Sequence, residues 1–71
     1  MTVTLLYYDN EGTYKGESSY STNTGITIEQ FFKLRSMDPR AYYVTINGRR
    51  PMNNDRLYDK VMIKVQAVHA Y

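Results

Sequence analysis

Tyrosine and arginine are the residues of this chain best suited to chemistry, and that chemistry is contact rather than catalysis. Eight of the 71 residues are tyrosine, with adjacent pairs at Tyr7-Tyr8 and Tyr42-Tyr43. A phenol combines a large apolar ring with one hydroxyl, a pairing enriched where proteins bind one another. Arg49 and Arg50 are adjacent, and Arg56 and Lys60 follow. Such cations grip phosphate or carboxylate through several N–H donors. Tyr43 and Tyr58 flank them, and basic groups interleaved with rings are what a single-stranded nucleic-acid binder uses. The simpler reading of Arg49 and Arg50 is that they keep a short edge strand from pairing with another chain.

Catalytic groups do not converge. His69 is the only histidine, and no nucleophile or carboxylate stands at a triad or metal-ligand spacing from it. Asp55 and Asp59 lie in a turn region, where carboxylates brace loops. The glycines are isolated, so no phosphate-cradling loop is expected. The expectation is a chain that is not an enzyme and has no metal and no cofactor.

Seventy-one residues make one domain, 1–71, near the size at which a single core becomes marginal. Without cysteine, neither disulfides nor thiolate sites can reinforce it, and a reducing compartment is favoured. No apolar run approaches the ~20 residues that span a bilayer. Met1 opens almost directly onto a strand-like segment instead of a charged leader. A soluble cytoplasmic protein without a membrane partner is expected. The formal charge of +2 is uneven. Residues 1–38 carry Lys15, Lys33 and Arg35 against Asp9, Glu11, Glu17, Glu29 and Asp38, a net −2. The remainder carries Arg40, Arg49, Arg50, Arg56, Lys60 and Lys64 against Asp55 and Asp59, a net +4. Such asymmetry is either ordinary solvated charge or the mark of an anionic partner.

The elements that position these groups follow from periodicity. Thr2 to Tyr8 alternates with period two, a strand, and Asp9-Asn10-Glu11-Gly12 is a turn. A weaker strand runs from around Thr13 to Ser21, with Tyr14 and Tyr20 on one face, and its Gly16, Ser18 and Ser19 suggest an edge or a bulge rather than a sheet centre. Thr27 and Gln30 form a capping box, and Ile26 with Phe31 a hydrophobic staple, so a helix begins at Ile28. Ile28, Phe31 and Phe32 share its apolar face, with Leu34 flanking and Arg35 unexpectedly alongside. Asp38-Pro39 should end it after about ten residues. Tyr42 to Ile46 is a third strand, and Asn47-Gly48 predicts a two-residue type I′ turn. Arg49 to Met52 should return as a short edge strand, Asn53, Asn54 and Asp55 break the chain, and Val61 to Val68 is the last strand.

Strand, strand, helix, strand, short strand, strand is the order of an α+β domain with one helix across one face of a mixed sheet. This is the β-grasp (ubiquitin-like) ββαββ pattern. Val3, Leu5, Val44 and Ile46 set the inner register, which turns Tyr7 and Tyr42 inward. Leu6, Tyr8, Tyr43, Thr45, Met62 and Lys64 then face outward with Thr4 and Gln66, and form the expected partner-binding face.

The stretch VTINGRRPMNNDRLYDKVMIKVQAV resembles the sulfur-carrier proteins of thiamine and molybdopterin synthesis, in the order Val44, Ile46, Asn47, Leu57, Asp59, Val61 and Ile63. The resemblance implies a ubiquitin-like fold over nearly the whole chain. Two departures accompany it: Lys60 stands where the family's acidic turn has glycine, and the chain reads His69-Ala70-Tyr71 where the carriers end in Gly-Gly. Paired glycines let a tail thread a narrow enzyme channel, so the carrier chemistry is not expected. The function expected first is therefore a small adaptor or regulator binding another protein through its open sheet face. Nucleic-acid binding through Arg49, Arg50, Arg56 and Lys60 stands second, with a precedent in the small β-grasp domains of some tRNA synthetases and stringent-response enzymes. A divergent sulfur-carrier-like protein stands third.

Overall fold

The computed structural model describes residues 1–68. His69, and with it the expectation that it has no catalytic or metal-ligating partner, lies outside the described residues. Strands β1 (Thr2–Tyr8) and β2 (Tyr14–Ser21) form a hairpin, followed by helix α1 (Ile28–Leu34), strand β3 (Tyr42–Thr45) and strand β4 (Val61–Ala67). The sheet order is β2-β1-β4-β3. β1 and β4 are a parallel central pair, and the outer strands run antiparallel to their neighbours. The helix-containing connection covers one face of this mixed sheet.

Alternation builds the core. Val3 and Leu5 of β1 lie beside Val61 and Ile63 of β4, and Val44 of β3 pairs Val65. All point toward Ile28, Phe31 and Phe32 of α1, and Leu57 completes the buried cluster. Tyr7, Tyr20 and Tyr42 pack on its margin, as the inward register of Tyr7 and Tyr42 requires.

The helix begins as its capping signal predicts. Thr27 Oγ1 accepts from Gln30 N at 3.2 Å, and the Gln30 side chain accepts from Thr27 N at 3.0 Å. The next donors are met from far away in sequence: Ile28 N donates to Asp55 O and Glu29 N to Asn53 O. Its end departs from expectation. The helix closes after seven residues, before Asp38-Pro39. Met37 N donates to Phe32 O and Ser36 N to Lys33 O, with Ser36 at φ 56°. These bonds form a Schellman closure with serine in the left-handed position that usually takes glycine. Asp38 instead caps the short 3₁₀ turn Pro39–Ala41.

Three further expectations are corrected. The return strand at Arg49–Met52 shrinks to one bridge, Ile46 with Arg49, because Pro51 has no N–H to extend the ladder. The type I′ turn itself forms, with Asn47 at φ 54° and Gly48 at φ 77°. The last strand ends at Ala67 rather than Val68, whose N–H turns to Ala41 O. Tyr14 and Tyr20 also fall on opposite faces. The register shifts between Tyr7, opposite Gly16, and Tyr8, opposite Tyr14, leaving Lys15 as the extra residue of a bulge. Gly16 sits there at φ 127°, and one extra residue reverses every side chain beyond it.

Candidate functional site

The face of the sheet opposite α1 is built from the outward residues of all four strands. Leu6 lies beside Lys64, Thr4 beside Met62 and Tyr8 beside Gln66 across the parallel pair. Tyr43 pairs Gln66 and Thr45 pairs Lys64 across β3 and β4. Met62 is 52% exposed and Tyr43 47%. Leu6, Tyr43, Thr45, Met62, Lys64 and Gln66 line a shallow depression of about 430 Å³ bounded by the Asn47-Gly48 turn. Thr45 is the exception within this group. Its register is outward, but it is only 9% exposed, so it forms the floor of the depression and not an accessible contact.

Cations are held over the rings. Lys64 Nζ lies 4.5 Å from the centre of the Tyr8 ring, and the Arg50 guanidinium 5.3 Å from that of Tyr43. A cation over a ring face is attracted to its quadrupole, by about 0.5–1 kcal/mol at exposed positions. Tyr14, brought to this face by the bulge, meets Tyr8 edge to face at 5.5 Å. Its hydroxyl donates to Glu17 at 3.2 Å, and partial desolvation, followed by the charge and hydrogen bond of Glu17, raises its pKa. Sequence reasoning missed Tyr14 and Glu17 as parts of this face. Gly16 was the signal that a bulge was available, but not the side of it on which Tyr14 would fall.

The second candidate group divides. Arg49, Arg50 and Arg56 line one cleft of about 290 Å³ together with Asn47, Asp55 and Tyr58. Lys60 does not join them. It precedes β4 with its N–H on Thr2 O, and it adopts φ 66°. Within the cleft, Arg56 Nη1 donates to Gly25 O, and Asn47 Nδ2 donates to the Tyr58 hydroxyl at 3.2 Å. The Asp55 carboxylate accepts from Met52 N at 2.9 Å. Asp59 accepts from Thr2 N at 2.8 Å, the main reason its pKa is lowered. Both aspartates thus brace loops.

A third cluster has no counterpart in the sequence reading. The Tyr7 and Tyr20 hydroxyls are 3.3 Å apart, and the Arg35 guanidinium lies 4.7 Å over the Tyr20 ring. This explains the arginine on the apolar helix face: it leaves the helix end to cap an aromatic ring. Burial, followed by the hydroxyl contact with Tyr20, pushes the Tyr7 phenol up to about 12. Tyr20 moves down, chiefly through its bond to Tyr7.

Among the described residues no group of three or more metal-ligating side chains assembles, and no helix is long and apolar enough to cross a membrane. Compared with known proteins, the chain matches no protein-family model, no curated protein and no solved structure.

Proposed function

We propose that this chain is a ubiquitin-like β-grasp domain acting in the cytoplasm as a non-enzymatic interaction module that binds another protein through its open sheet face. The fold reading is supported by the β2-β1-β4-β3 order, the parallel central pair and the single helix across one face. It is also supported at Lys60. That residue stands where the sulfur-carrier pattern has glycine, and its φ of 66° is a conformation glycine favours.

The observation that carries the functional reading is the uncovered face itself, where Tyr8, Tyr14, Tyr43 and Met62 lie together on a rigid sheet. Rings fixed by neighbouring cations lose little freedom on binding, so their contact area is used efficiently. The charges select the partner's chemistry. Lys64 and Arg50 lie over the rings, while Glu17 is occupied by the Tyr14 hydroxyl. The complement is a protein surface with an apolar centre flanked by carboxylates.

A photo-cross-linker placed at Met62 should capture the partner, and one at Lys33 on the helix side should not. The Tyr8→Ala/Tyr43→Ala double variant should stay folded and lose the captured species, at a cost of about 1–3 kcal/mol from the cation–ring and Tyr8–Tyr14 contacts it removes. Equal capture from both positions, or capture undiminished by the double variant, refutes the assignment.

A further inference from the structure

We infer that the cleft beneath the Asn47-Gly48 turn is a phosphodiester site, which seats a short single-stranded nucleic acid between Tyr43 and Tyr58. Arg49, Arg50 and Arg56 converge on it from two segments, the bridge after the turn and the loop that returns toward β4. Three arginines and one carboxylate line it; Asp55 already accepts a backbone bond from Met52, and Arg56 Nη1 donates to Gly25 O. Among the described residues none of the three arginines forms an ion pair. The ion pairs among the described residues lie elsewhere, between Lys15 and Asp9 and between Arg40 and Asp38. A concave site with unneutralised guanidinium forks calls for oxyanions.

The rings decide which oxyanion. Tyr58 is 51% exposed at the cleft wall, with its hydroxyl held by the Asn47 amide. Tyr43 is 47% exposed, and Arg50 lies against its face, linking cleft and sheet. An isolated phosphate has no use for ring faces. A single strand presents phosphates and stacking bases together, and each stacked base adds affinity without demanding a particular sequence. A duplex keeps its bases stacked internally, so the rings favour the single strand.

The site shares Arg50, Tyr43 and the Asn47 rim with the protein-binding face proposed above, while Tyr58 belongs to the cleft and Met62 to the face, so the two readings fail separately. The probe is a labelled oligothymidylate of about 12 nucleotides, titrated by fluorescence anisotropy at several salt concentrations. Release of about 0.7 counterion per neutralised phosphate gives a log–log slope near −2 for three contacts, or roughly a 20-fold affinity loss from about 50 to about 200 mM salt. Arg49→Ala/Arg50→Ala should bring the slope to about −0.7, while Lys33→Ala leaves it unchanged. Tyr58→Leu should weaken binding several-fold at every salt concentration without altering the slope. Met62→Asp should leave oligonucleotide binding intact while abolishing capture of the protein partner. Thermal melting of each variant verifies that it is folded. Three outcomes overturn the inference: no binding at low salt, a slope equal in the arginine double variant and in Lys33→Ala, or unchanged affinity in Tyr58→Leu. Displacement of the oligonucleotide by polyglutamate of equal length at equal concentration also overturns it, and reassigns the cleft to acidic peptides.

Discussion

Individual side chains here do work that their residue type does not announce. Tyr7 and Tyr8 are neighbours in sequence, yet one is tied to Tyr20 at the core margin and the other lies under Lys64 on the open face. The first has a consequence at alkaline pH. The folded state holds the Tyr7 phenol at about 12 against an ordinary 10.0, so folding favours its protonated form. The stability this group contributes is present below its unfolded value and is lost as pH rises from about 10 toward about 12. Tyr7→Phe should therefore flatten the loss of stability across that window, as read from denaturant midpoints at successive pH values. An identical alkaline decline in wild type and variant would show that Tyr7 does not carry the effect.

At the scale of elements, one irregularity in β2 determines what the open face contains. The extra residue at Lys15 moves Tyr14 from the helix side to a position against Tyr8, and Gly16 supplies the backbone conformation. Space is not the constraint, since nothing lies within 4 Å of a side chain added at Gly16. The constraint is its φ of 127°, which a residue with a Cβ adopts only under strain. Gly16→Ala should cost about 1–3 kcal/mol. It should also weaken the Tyr8–Tyr14 contact, visible in two-dimensional NMR as loss of the cross-peaks between those rings. A neutral substitution with the cross-peaks retained would mean that the bulge does not depend on glycine.

For the molecule as a whole, the long segment between β3 and β4 closes the fold. It has little regular structure, yet Leu57 is buried in the core and donates its N–H to Ile26 O. Asp55 and Asn53 supply carbonyls to the first two amides of α1. The helix is seven residues long, too short to persist in water by itself, so its start depends on residues more than twenty positions away. Leu57→Ala should cost about 2–5 kcal/mol, a large share of the total for so small a domain. Helical circular dichroism and tyrosine fluorescence should be lost together at one lowered denaturant midpoint. A helix signal that survives while the tyrosine signal melts would separate the two.

Where information was local, the sequence determined the outcome. The capping box at Thr27 and Gln30, the Asn47-Gly48 turn and the inward register of Val3, Leu5 and Val44 all depend on neighbours within a few residues. Those signals were legible and correct. The outward placement of Leu6, Tyr8, Tyr43, Met62 and Lys64 followed from the same period of two. The short return strand was misread because Asn47-Gly48 announces a hairpin while Pro51 cannot continue its ladder. The helix end was misread because the Schellman closure uses a serine at φ 56°, whose composition carries no stop signal. Only tertiary structure could bury Thr45 beneath its neighbours, move Tyr14 across the sheet, and gather Arg49, Arg50 and Arg56 while leaving Lys60 beside Thr2. Periodicity fixes which side of a strand a residue occupies. The path of a loop and the company a side chain keeps depend on contacts between distant segments, which no local pattern encodes.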